Sequence, residues 1–240
     1  MIQCLATENR RWGAERIRGE LLKLGIRVGK RTVQRHMRAA RPPQPWGGRQ
    51  GWATFVHNHA GAIWACDFLP VVDLRFRTLY AFVIVAPGSR RVLHVGVTRH
   101  PTDAWVAQQL RGTTPFGTAP RFLIRDNDAK YGSAFARVAA GSRIAVLRTP
   151  LRAPRANAPC ERFPGSVRRE CLDHLLILGE GQLRRVLREY VAYCNTVRPH
   201  QGIGEAIPCT SGPASPARPA GPTVSIPVLG GLHHDYRRAA

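Results

Sequence analysis

The sequence predicts an α/β protein, a mixed sheet covered by helices, with a small helix-turn-helix segment ahead of it. Three observations carry that prediction. From Ile63 the chain runs through IWACDFLPVVDL, TLYAFVIVAP and RRVLHVGVTRH, each rich in β-branched and aromatic residues and bounded by charged or Gly/Pro turns, which suggests an antiparallel meander. Beyond them, helical and strand patterns alternate, as they do where helices cover a sheet. Ahead of them, residues 14–38 hold two amphipathic helical patterns joined by a short turn.

In the first of these two patterns, AERIRGELLKL (14–24), Ile17, Leu21 and Leu24 fall at helical spacing, and Gly25 closes the segment. In KRTVQRHMR, Val33 and Met37 point one way, while Arg31, Gln34, Arg35 and Arg38 point elsewhere. A second helix with a basic outer face can lie in a DNA major groove, although two helices that merely pack together give the same pattern. RPPQPWGGR (41–49) cannot continue a helix and reads as a linker.

After the three strands, DAWVAQQL (103–110) reads as a helix, RFLIRD (121–126) as a short buried strand, DAKYGSAFARVAA as a loop and helix, and RIAVLRTP as a further strand. Asn157 as N-cap and Pro159 in the first turn predict a helix from about residue 158 to about residue 177. On it Glu161, Gly165 and Arg168 share one face. Leu183, Val186, Leu187, Tyr190 and Val191 form the apolar stripe of another helix over 182–194. After Pro208 the composition shifts, as in SGPASPARPAGP, to that of a disordered linker, and GLHHDYRRAA reads as a docking tail. The resulting division is 1–40 helix-turn-helix, 41–60 linker, 61–207 core and 208–240 Pro/Gly-rich tail.

Lys and Arg number 36 against 15 acidic residues in 240, a formal charge of +21 with a sequence pI near 11.4. A balance of this size attracts polyanions, and 44% hydrophobic content says that the chain folds. Nucleic acid is the default partner, and a nucleic-acid binder without chemistry fits the same composition. Six cysteines are scattered with no C-x-x-C pair and no zinc spacing, which predicts reduced thiols in a cytosol and argues against a disulfide mini-protein. No run of about 18 apolar residues and no signal-peptide pattern occurs, so the protein is expected to stay inside the cell.

Three acids stand out. Asp67 interrupts an apolar strand, Asp126 ends FLIRD, and Glu161 begins a basic helical segment. Brought together, three carboxylates repel one another unless cations hold them. Two hard divalent ions, Mg²⁺ or Mn²⁺, about 3.5–4 Å apart would remove the conflict and could drive an in-line phosphoryl transfer. The alternative is three separate acids, each paired with one of the 36 basic residues. Asp128 reads as a cap for the following helix, Asp73 as a turn acid, Cys66 and Cys160 as packing residues, and His200 as a structural hydrogen-bonder.

WACDF (64–68), FLIRDNDAKY (122–131), RANAPCERF (155–163), VRRECLD (167–173) and Y-x-x-x-x-R-P-H-Q-G (193–202) together resemble the integrase catalytic core of bacterial insertion-sequence transposases. Between Asp126 and Glu161 stand 34 residues, the spacing of that family's D,D,E triad. The resemblance implies an RNase H-like sheet, an antiparallel three-strand meander plus parallel strands flanked by helices. It further implies Asp67, Asp126 and Glu161 as metal ligands, with two Mg²⁺ or Mn²⁺ ions per site. The implied reaction is nicking at the element's ends followed by strand transfer to a target duplex. The partners would be element-end and target DNA, with at least a homodimer on DNA in a bacterial, nucleoid-associated cytoplasmic setting. Lys130, Asn157, Arg168 and Arg169 match polar or basic positions near such sites and are expected DNA contacts, with Arg31, Gln34, Arg35 and Arg38 on the helix-turn-helix. Two departures are expected to matter. Pro164 falls where family members usually carry an apolar residue, which would mis-aim Glu161. The short amino terminus reads as truncated, so a copy that binds DNA without catalysis is the alternative function.

Overall fold

A computed structural model describes the chain except for residues 10, 11, 41–51, 116, 150–153, 210–221 and 240, and except for the side chains of 53 and 154–161. It divides into two compact units, Met1–Gly51 and Trp52–Ala240.

The first unit holds three helices, α1 (Ile2–Glu8), α2 (Ala14–Lys23) and α3 (Lys30–Ala40). Ala6, Ile17, Leu21 and Val33 are buried together, with Trp12 and Met37 packed against them. The helix-turn-helix pattern therefore acquires a third helix that closes its apolar face. The α2 terminus is a Schellman turn: Gly25, at φ 77°, and Ile26 donate to the Leu22 and Leu21 carbonyls at 3.0 and 2.9 Å. Arg31, Arg35 and Arg38 are exposed on α3 and Gln34 is half-buried.

The second unit opens with α4 (Trp52–Asn58), a helix inside the stretch expected as linker, while RPPQPWGGR itself lies outside the described residues. Apolar positions explain α4, since Trp52, Phe55 and Val56 pack on the sheet. Then come β1 (Ile63–Val72), β2 (Thr78–Ala86), β3 (Arg91–Thr98), α5 (Asp103–Thr113), β4 (Phe122–Arg125), α6 (Ser133–Gly141), β5 (Ala145–Arg148), α7 (Pro154–Glu170) and α8 (Glu180–Thr196). The sheet order is β3-β2-β1-β4-β5, with β1 to β3 antiparallel and β4 and β5 parallel to β1. This is the RNase H-like arrangement.

Strand parity sorts the core into two layers. Cys66, Phe82, Ile84 and Leu123 pack against Val106 and Leu110 of α5 and Phe135 and Ala139 of α6. Leu69, Val71, Leu79 and Ala81 face the other way, against Val167 of α7 and Leu183, Leu187 and Tyr190 of α8.

Three local expectations are corrected. Helix α7 begins at Pro154 rather than near residue 158, so Pro154, not Pro159, takes the favoured first position and Asn157 is inside the helix rather than its cap. It ends at Glu170 rather than near 177, because Cys171 leaves helical geometry at φ −139°, ψ −66°. Asp128 does not cap α6: it accepts the Lys130 N–H and ammonium at 2.9 and 2.6 Å, while Asp103 of α5 receives the N–H groups of Gly132, Ala134 and Phe135. Beyond the undescribed SGPASPARPAGP segment, β6 (Thr223–Val228) and β7 (His233–Arg238) form a hairpin that buries Leu229 in the α8 layer.

Candidate active site

The parallel register of β1 and β4 pairs Ala65 with Ile124. Asp67 stands two residues further along β1, and Asp126 directly follows Arg125, the last residue of β4; alternation continued from the paired residues carries both acids towards the face of Ala65 and Ile124. Both residues are half-buried. Both acids act on the buried groups behind them. Burial chiefly pushes the Cys66 thiol up to about 12, and the Asp67 and Asp126 charges both add to that push. The same two carboxylates also help to raise the Tyr131 phenol, again after burial.

Asp126 is held by its surroundings. Its Oδ1 accepts the Asp128 N–H at 3.2 Å, and its own carbonyl accepts Arg125 Nη1 at 2.8 Å. The Arg125 guanidinium stacks 4.7 Å from the Tyr131 ring centre, and Asn127 ties the loop to the Thr149 carbonyl at 3.0 Å. Asp67 Oδ1 accepts the Phe68 N–H at 2.8 Å. Sequence reasoning missed Arg125 as a support for Asp126. The available signal was an arginine at an inward position of a strand covered on both faces.

Helix α7 crosses the same face of the sheet. Phe163 packs on both the Ile63/Ala65 and the Leu69/Val71 clusters, and Arg168 Nη2 donates to the Pro70 carbonyl of β1 at 2.9 Å. Glu161 lies on α7 two turns before Arg168. The side chains of Glu161 and Asn157 lie outside the described residues. Arg168 and Arg169 are exposed, while Lys130 is engaged elsewhere, against Asp128 and between Phe68 and Tyr80, each ring centre 5.1 Å away. Arg31, Gln34, Arg35 and Arg38 belong to the first unit. Oxygen donors in the middle of one strand and just past the end of its neighbour, on a sheet face crossed by a helix, suit a hard divalent cation.

The integrase core domain model matches residues 142–208, which span β5, α7 and α8. Over those residues the chain is similar to an integrase core. An insertion element IS476 protein of Xanthomonas euvesicatoria, described as an uncharacterized 39.2 kDa protein, is 25% identical over 213 residues, 85% of this chain. This chain spans 61% of that relative's length. Among solved structures, a chain of the simian T-cell lymphotropic virus intasome in complex with PP2A regulatory subunit B56 gamma aligns with a TM-score of 0.54 at 14% identity, covering 98% of this chain and 86% of that one. The HTLV-2 integrase catalytic core domain in complex with magnesium aligns at 0.48 and 14% identity, covering 61% and 93%. The alignment at 0.54 shows a shared fold. Among the described residues, no helix is long and apolar enough to cross a membrane.

Proposed function

We propose that this integrase-core chain is a DDE transposase that cuts DNA at the ends of an insertion element and joins the freed ends to a target duplex. The observation that supports the reading is the β1/β4 register, which pairs Ala65 with Ile124, each two residues before one of the two aspartates, on the sheet face crossed by the helix that bears Glu161. These three carboxylates would hold Mg²⁺ or Mn²⁺, as their oxygen chemistry suits. When bound, such ions activate an attacking oxygen and stabilise the leaving one. The protein's own contribution is to orient the acids: Arg125 fixes the Asp126 backbone, and the Phe68 N–H fixes the Asp67 carboxylate. Arg168 and Arg169 on the outer face of α7, with Lys130 and Asn157, are proposed to hold phosphates near the reacting bond. Arg31, Gln34, Arg35 and Arg38 are proposed to dock on the element end, and joining two ends calls for at least two copies. The domain division 1–40, 41–60, 61–207 and 208–240 is proposed as the functional one.

The experiment is strand transfer on DNA carrying the element's terminal repeats, with Mg²⁺, comparing the native chain with Glu161→Gln, Asp67→Asn and Asp126→Asn. Loss of at least about 10²-fold in each variant is expected. Equal activity in native and variant chains, or DNA binding with no turnover in any of them, would instead support a DNA-binding copy without catalysis.

A further inference from the structure

The wall of a cavity of about 70 Å³ is shared by the end of β2, the turn after it, α7 and the segment following α8. Arg90, Arg162 and Arg198 line it, with Ser166, His200 and Phe163. In the sheet order this is the β2/β3 side of β1, whereas Asp126 follows β4 on the other side.

The charges here do not balance. Arg198 is bound to Glu170 Oε1 at 2.5 Å, but among the described residues neither Arg90 nor Arg162 has an ion-pair partner. Among the described residues, Arg90 Nε is buried with no hydrogen-bond partner. A desolvated guanidinium donor left unpaired is costly, and burial followed by the charge of Arg162 lowers the pKa of Arg90 from its ordinary 12.5. His200 is likewise lowered, by burial first; its bond to the Cys194 carbonyl opposes this, and Arg198 and Arg90 add to it.

Arg90 is also built into place. It sits at φ 62° in the β2–β3 turn, and its guanidinium lies against Gly202, where a Cβ would come within 2.7 Å of Nη2 and 2.9 Å of Nε. The glycine of the RPHQG segment therefore admits the guanidinium to the cavity.

We propose that this cavity is an oxyanion site that takes one phosphate group, with Arg90 and Arg162 as its charge partners and Ser166 as a further hydrogen-bonding group. A water's share of liquid volume is about 30 Å³, so the space exceeds that of a single water. Two unpaired guanidinium groups match the charge and the planar donor geometry that a phosphate accepts. The phosphate comes from a nucleic-acid backbone or from free phosphate; the recognising chemistry is the same. Its test does not depend on turnover or on the metal chemistry proposed above.

Thermal unfolding of the full chain is to be followed in sodium phosphate and in sodium chloride at matched ionic strength, for the native protein, Arg90→Gln and Gly202→Ala. The native midpoint should rise with the logarithm of phosphate concentration, as ligand linkage requires, and both variants should lose that rise. Gly202→Ala keeps every charge and only pushes the guanidinium aside, so its loss of response separates a built site from general charge attraction. A native response no larger in phosphate than in chloride, or variants that respond as the native chain does, would overturn the proposal. In a second arm, duplex DNA binding is measured against salt. A slope smaller by about one in Arg90→Gln assigns the phosphate to the DNA backbone, and an unchanged slope in a variant that has lost the phosphate response assigns it to free phosphate.

Discussion

Asp103 receives three backbone N–H groups, those of Gly132, Ala134 and Phe135, at 2.7–2.9 Å, and so satisfies the start of α6 from a neighbouring helix. Burial alone would raise its pKa, but the Phe135, Ala134 and Gly132 donors outweigh burial and lower it from 3.8. The bound form is the carboxylate, so its contribution is complete above 3.8 and is lost as pH falls through the lowered value in the fold. Asp103→Ala is expected to cost about 1 kcal/mol at neutral pH, the usual loss for a helix cap. Urea denaturation at neutral pH and at progressively lower pH checks both size and sign: the gap between native and variant should close in acid. Asp73 works the same way within its own turn, accepting the Arg75 and Arg77 N–H groups and the Arg77 guanidinium. That role was legible in the sequence, because a turn acid bonds to groups only two to four residues away.

Helix α7 is continuous from Pro154 to Glu170 although Pro164 lies deep inside it. A proline there lacks one N–H and crowds the preceding carbonyl, and packing of Phe163 and Val167 on the sheet holds the turn together. Pro164→Leu should therefore stabilise the chain by up to about 3 kcal/mol, the interior proline cost, and circular dichroism melting reads it. Strand transfer by the same variant is expected to rise as Glu161 is freed of the strained turn; unchanged melting and unchanged rate together would show that the surroundings absorb the proline fully. On α3, Arg31, Arg35 and Arg38 are exposed while Val33 is buried. Arg35→Ala should lower duplex affinity nearly uniformly across sequences and reduce the salt slope by about one if it meets a phosphate. A sequence-dependent loss would mean that it reads a base edge.

At the scale of the whole molecule, the proposed binding to DNA should depend steeply on salt, given the +21 charge. The carboxyl-terminal hairpin contributes differently. Leu229 is buried in the α8 layer, its N–H donates to Glu189 Oε1 at 2.5 Å, and His233 stacks on Tyr193 at 4.9 Å and meets the Glu170 carbonyl at 2.7 Å. Removing residues 222–240 should destabilise the core by about 2 kcal/mol, the value of burying one large aliphatic side chain, and denaturant midpoints of the shortened chain measure it. Composition pointed to a tail because Pro, Gly and Ser dominate just after Pro208. The short β pattern that follows gains its stability only from contacts made with residues more than thirty positions earlier.

Alternating and 3.6-residue periodicities pointed to β1 to β5 and to α2, α3, α5, α6 and α8, because those patterns are set by neighbouring residues along the chain, whereas α1, α4 and the β6–β7 hairpin were not read from them. The acid at 67 was conspicuous for the same reason, a charge in an apolar strand. Only the tertiary structure decided that Ala65 lies opposite Ile124 and so carries Asp67 and Asp126 towards one sheet face. It also decided that Asp103 rather than Asp128 caps α6, and that Arg90 fills the space left by Gly202. Each of these joins residues from separate elements, and the strand register and helix packing that create such pairs are set by the burial of the whole core rather than by any local spacing.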